Sequence, residues 1–111
     1  MGLNGPVRQV RGERIYPISA MGAYADAGVV DVEGFCRDLV ITPVAVLVTS
    51  AIDQSGDMLG AVVLDFVPIG GDNAANNAMP LHTGEIYDMA VKRVITATTT
   101  AAEVFILAIN P

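Results

Sequence analysis

The chain has 111 residues, of which 52% are apolar and only 16% charged, and its mean hydropathy is +0.51. This composition excludes disorder, which needs low hydrophobicity and high charge. The longest uncharged apolar run, residues 39–52, contains Pro43 and is shorter than the about 20 residues of a membrane-spanning helix. The first 14 residues hold three arginines and lack the apolar core of a signal peptide. We therefore expect one domain and no membrane partner.

Charge separates the beginning of the chain from the rest. Residues 1–14 carry Arg8, Arg11 and Arg14 against Glu13, a net charge of +2, whereas residues 15–111 carry three basic and eleven acidic groups, a net charge of −8. An acidic body with no basic stripe repels nucleic acid, so we expect no direct nucleic-acid partner. We predict that residues 1–14 form an extended arm on another copy of the protein and that residues 15–111 form a single β domain.

The apolar runs are rich in β-branched residues and do not recur at helical spacing, which favours strands and leaves no convincing helix. The predicted strands cover residues 7–18, 29–32, 37–52, 58–69, 85–97 and 103–109. Between them, residues 21–28 favour a loop or a single helical turn, 53–57 a turn, 70–84 a long exposed loop and 98–101 a reversal. The pattern predicts an all-β fold, a small antiparallel sandwich or barrel, in which strands 85–97 and 103–109 form a hairpin.

The last predicted strand is apolar on both of its faces. Val104, Ile106 and Ala108 alternate with Phe105, Leu107 and Ile109, and we predict that the last three lie in an oligomer interface. Residues 37–52 show the same property. Since a small sandwich has one interior, the second apolar face predicts contact with other copies in a homo-oligomer.

Candidate catalytic and ligand-binding groups are few. His82 is the single histidine, and on a strand only Asp88, not Glu85, would share its side, so we predict no metal ligand. Residues 53–57 lack the ligand spacing of a calcium loop. Cys36 excludes an internal disulfide and has no neighbouring base in the sequence, so we interpret it as a buried, inert thiol. We predict no cofactor and no catalytic residues.

Two segments, residues 35–41 and 84–104, resemble parts of the spike-base proteins of gene-transfer-agent and tailed-phage heads. Residues 35–41, Phe-Cys-Arg-Asp-Leu-Val-Ile, resemble the Cys-Arg strand of that family. Residues 84–94 resemble its Gly-led strand, with Val91, Arg93 and Val94 in a Val-x-Arg-Val core, and residues 97–101 its Ala-Thr-x-Thr-Thr-Ala turn before a final apolar strand. The resemblance implies a non-enzymatic virion structural protein, a decoration or vertex spike base of the head.

The expected protein is thus a symmetric homo-oligomer in the virion, assembled in the host cytoplasm. Its expected partners are its own copies and the major capsid or other virion proteins. A tail or neck ring component of the same particle is one alternative. A small ligand-binding β domain is another, although 5% aromatic residues and no tryptophan disfavour sugar stacking. An enzyme acting through paired acidic residues is a third alternative, which spacing alone does not decide.

Overall fold

The structure, a computed structural model, describes residues 13–52, 54–58, 60–74 and 77–110. In this part of the chain, nine strands form two antiparallel sheets that pack together, which confirms the predicted small all-β sandwich. The strands are β1 (Arg14–Pro17), β2 (Ala25–Asp26), β3 (Val29–Asp31), β4 (Thr42–Thr49), β5 (Ala61–Pro68), β6 (Asn77–His82), β7 (Ile86–Tyr87), β8 (Val91–Ile95) and β9 (Glu103–Ile109). One α-helix, α1 (Val32–Asp38), and two short 3₁₀ turns, Ile18–Ala20 and Gly22–Tyr24, complete the described elements.

The strands divide into a four-stranded sheet, in the order β1-β9-β4-β7, and a five-stranded sheet, in the order β2-β3-β8-β5-β6. The hydrophobic core lies between them. Along β4, β5 and β9 the core side chains alternate with outward-facing ones, because successive residues of a strand point to opposite faces. The core positions of the central strands are Val46 and Val48 of β4, Leu64 and Phe66 of β5, Val91 and Val94 of β8, and Val104, Ile106 and Ala108 of β9.

The predicted hairpin between residues 85–97 and 103–109 is wrong. Residues 85–97 form two strands, β7 in the four-stranded sheet and β8 in the five-stranded sheet, while β9 pairs with β1 and β4. After β8 the chain does not reverse directly into β9: the Thr100 amide donates to the carbonyl of Val63 in β5, and the Ala102 amide donates to the carbonyl of Thr49 in β4. The segment therefore crosses from one sheet to the other, a path that strand periodicity does not reveal.

The helix α1 also corrects the sequence-based expectation, which placed a strand from residue 37 onward. The Asp31 side chain caps this helix by accepting a hydrogen bond from the Gly34 amide at 3.1 Å. A Cβ atom on residue 34 would lie 2.6 Å from the Asp31 carboxylate, so glycine at this position lets the capping carboxylate keep its place. Val32 and Cys36, one turn apart, are buried. Seven residues are too few to show a helical period beside a β-branched run, and for this reason the pattern missed the helix.

Two further boundaries differ from the predicted ones. The predicted exposed loop 70–84 contains β6, which pairs with β5 along six residues, although of its six side chains only Leu81 is buried. Because proline and asparagine are typical of loops, the sequence did not reveal this edge strand, one of the places in a sheet that tolerate proline. At the beginning of the chain, Glu13 is buried and Arg14 opens β1 opposite Ala108, so both belong to the β domain. The rest of the predicted arm, residues 1–12, lies outside the described residues.

Candidate functional site

The outer side of the four-stranded sheet carries a depression of about 200 Å³ that is lined by apolar side chains from all four strands. We call this surface the apolar face and define it by Ile15 of β1, Leu47 of β4, Ile86 of β7, and Phe105 and Leu107 of β9. On β4 and β9 these residues alternate with core residues such as Val46 and Ile106, so their side chains point away from the interior. An ordinary sandwich strand would place polar groups here.

The strand register makes the apolar face continuous. Leu47 lies opposite Phe105 on one side and Ile86 on the other, and Leu107 lies opposite Ile15 and Ala45. Directly opposite side chains of antiparallel strands are close enough to contact each other. Ile15 is 48% exposed and Leu107 only 2%, so the depression has an exposed rim and a covered floor. The result is an uninterrupted hydrophobic surface across the whole width of the sheet.

Of the six predicted interface residues, Phe105 and Leu107 lie on the apolar face. Ile109 is half-buried at the end of β9, opposite Thr42, and Arg14 is exposed on the neighbouring edge strand. Arg8 and Arg11 lie outside the described residues. The sequence analysis did not single out Ile15, Leu47 and Ile86. The two apolar sides of residues 37–52 could have indicated that Leu47 faces outward. Ile15 and Ile86 are isolated isoleucines on short strands, and no sequence pattern indicates their position.

The outer side of the five-stranded sheet is polar by contrast. Asp31 lies opposite Arg93, and both alternate with core residues of their strands, Val30 and Val94. Together with Tyr24 and Asp26 these two residues line an open surface groove of about 530 Å³. The Tyr24 hydroxyl donates to Asp38 at 2.6 Å, and this hydrogen bond raises the pKa of the tyrosine. The groove holds its charged groups on the surface of the sheet, where water solvates them.

Asp65 is a buried carboxylate on this polar side, in the middle of β5, and is 4% exposed. Its carboxylate accepts a hydrogen bond from the Thr98 hydroxyl, and its backbone amide donates to the Thr99 hydroxyl at 3.0 Å. The amide of Val63 donates in the same way to the Thr100 hydroxyl at 2.8 Å. The three threonines therefore hold the crossing segment along β5, and we assign this cluster a structural role.

His82 and Cys36 are the two residues that the sequence analysis considered for a metal-binding or a catalytic role. His82 is exposed at the end of β6, and Cys36 is 1% exposed on α1. Burial raises the pKa of the Cys36 thiol to about 11, so the thiol is protonated at neutral pH and is a poor nucleophile. Within residues 13–52, 54–58, 60–74 and 77–110, no three His, Cys, Asp or Glu side chains are grouped closely enough to hold a metal ion.

The open edge of β6 is blocked against the addition of another strand. Val63 exchanges hydrogen bonds with Thr100, on the side away from β6, so Val63 and Pro80 form a non-hydrogen-bonded pair. The backbone nitrogen of Pro80 therefore points to the open edge, where it has no proton to donate. Two residues on, the amide of His82 donates to the Tyr87 hydroxyl at 2.8 Å. Natural edge strands use such devices to avoid uncontrolled pairing.

No protein-family model, curated protein or solved structure matches the chain. None of the helices in the described ranges has the length and hydropathy that crossing a bilayer requires. Fold and surface together define a small antiparallel β-sandwich with one polar and one apolar outer sheet face.

Proposed function

We propose that this chain is a non-enzymatic structural protein of a tailed phage or phage-like particle, a head decoration or vertex spike base that assembles as a symmetric homo-oligomer. The observation that carries the proposal is the apolar face. Five side chains from four strands meet there on the outside of a sheet that already buries a complete core on its other side. A surface of this kind is characteristic of subunits that are covered on assembly.

The energetics favour assembly over a solitary monomer. Burial of apolar surface contributes about 25 cal/mol per Å², so covering a few hundred Å² contributes several kcal/mol per subunit before the costs of association. When copies are arranged around a symmetry axis, subunits that are already held in place form further contacts at a lower entropic cost of association. The apolar face therefore suits a subunit that repeats around a vertex or a ring.

The family resemblance supports the proposal through residues 84–104. In the structure these residues form β7, β8 and the crossing segment that leads into β9. The other resembling segment differs, because Cys36 and Arg37 lie on α1 and not on a strand. Residues 84–104 include Ile86 of the apolar face and end at the beginning of β9, the strand that contributes two more residues to it.

Particles produced with and without this chain, imaged by electron microscopy, test the proposal. We expect density on the head, at vertices or in a symmetric array, that disappears when the chain is missing.

The variant Ile15→Asp, at a side chain that is 48% exposed, places a charge on the apolar face. It should stay folded yet fail to join particles. Thr96→Asp, at an exposed turn position off this face, is the matched control and should incorporate normally. Identical particles with and without the chain would contradict the proposal.

A further inference from the structure

We infer that copies of this chain join through the basic N-terminal segment, which in one copy lies across the apolar face of another and reaches its acidic β7 border. The N-terminal segment is residues 2–12, which contain Arg8 and Arg11. The β7 border is Glu85 and Asp88, the residues that flank β7. This inference rests on the proposed homo-oligomer and names its interface.

The charge distribution across the four-stranded sheet is the first argument. β1 and β7 are the two edges of this sheet. At the β1 edge Arg14 is exposed, and the chain that leads into it carries two more arginines and no acidic residue before the buried Glu13. At the opposite edge both Glu85 and Asp88 are exposed. Like charges repel and unlike charges attract, so the charges favour a contact in which the basic edge of one copy meets the acidic edge of another.

The blocked edge of β6 is the second argument. Because Pro80 has no amide proton and the His82 amide is bonded to Tyr87, the long open edge of the five-stranded sheet is poorly suited to strand pairing between copies. Assembly is thereby directed to the four-stranded sheet, whose apolar face extends from the basic edge to the acidic edge.

The contact area is the third argument. The four strands differ in length, from two residues in β7 to eight in β4. At about 3.4 Å per residue they average about 18 Å, and with about 4.8 Å between strands they give a face of roughly 300 Å². A stable interface needs about 800 Å² per partner, so the apolar face alone is too small. A segment of eleven residues can span at most nearly 40 Å, at about 3.4 Å per residue, which is more than twice the width of the sheet. The segment also carries Leu3, Val7 and Val10, which can add apolar contact along the face.

Two charge-reversed full-length variants test the inference. In Arg8→Glu/Arg11→Glu both the segment and the border are acidic, and in Glu85→Lys/Asp88→Lys both are basic. Each variant alone should associate at least roughly tenfold more weakly than the wild type in sedimentation velocity at low salt. An equimolar mixture should regain the association, because each segment then meets a border of opposite charge. The regained oligomers should contain both variants in equal numbers, and their association should weaken at high salt.

Three outcomes would overturn the inference: a mixture that stays monomeric, single variants that associate like the wild type, or a wild type that is monomeric at every concentration. Circular dichroism of each variant controls for folding, and the separate variants Gln54→Glu and Gln54→Lys, at an exposed turn position, control for added charge elsewhere. These measurements use purified protein. If the charge-reversal experiment fails, the particle images still decide the virion role. If particles are unaffected by the chain, these solution measurements still decide the contact between copies.

Discussion

The outer faces of the two sheets are built by the same strand alternation and differ in what the alternate positions carry. On the four-stranded sheet, Leu47 and Phe105 stand where solvent-facing polar residues are usual. On the five-stranded sheet the corresponding positions include Arg93 opposite Asp31, and Asp65 held by threonine hydroxyls. The polar face is suited to water and satisfies its buried carboxylate internally. Covering the apolar face would stabilise the protein, so in the proposed assembly the apolar face is the covered side of the molecule and the polar face is the free side.

The largest effect should come from the inner side of the four-stranded sheet. Ile106 is fully buried, and Ile106→Ala should lower the free energy of unfolding by about 2–5 kcal/mol, through lost transfer energy and a cavity. Ile15→Ala, on the outer side of the same sheet, is the matched comparison and should cost well under half as much in the monomer. Urea denaturation at low protein concentration measures both. Equal losses would mean that the outer face is already part of a core.

The second largest loss of unfolding free energy is expected on the polar face, at Asp65. Asp65→Ala leaves the Thr98 hydroxyl without its carboxylate acceptor and should cost about 1–3 kcal/mol in urea denaturation. Thr98→Val removes the donor, and a double-mutant cycle of the two should show a coupling energy of at least about 0.5 kcal/mol. Additive losses would show that the pair does not hold the crossing segment to β5.

Cys36 reports whether the two sheets stay together, because α1 contacts β4 of one sheet and β8 of the other. Its pKa is raised by burial from 9.0 to about 11. The stabilisation that comes from burying the protonated Cys36 thiol is therefore fully present below pH 9, and it is lost as the pH rises through about 11. We expect stability to fall over that interval, and to fall less in Cys36→Ala. At pH 8 a thiol reagent should label the folded protein far more slowly than the urea-unfolded chain. Rapid labelling of the folded protein would contradict the burial of this thiol.

The smallest effect is expected at the edge of β6. Pro80→Ala restores an amide proton to the open edge and should change the free energy of unfolding by less than about 1 kcal/mol. Because the edge then offers a further donor, we expect more self-association, seen as a higher apparent mass in light scattering at high protein concentration. Val63→Ala, on the paired neighbouring strand, is the control and should not change the apparent mass. An unchanged mass for Pro80→Ala would mean that proline is not what protects this edge.

The sequence by itself determined the all-β class and the last strand, because β-branched residues in period-two runs bury well only on a pleated surface. It also predicted two apolar sides for residues 103–109, and the structure places one side in the core and Phe105 and Leu107 on the apolar face. Only the tertiary structure decided that β7 and β8 belong to different sheets, that residues 32–38 form a capped helix and that residues 77–82 pair as an edge strand. The physical reason is that alternation is a local property, whereas the pairing partner of a strand depends on contacts between residues far apart in the chain. Ile15 and Ile86 illustrate it: they are 71 positions apart and become one surface only because β9 and β4 lie between them.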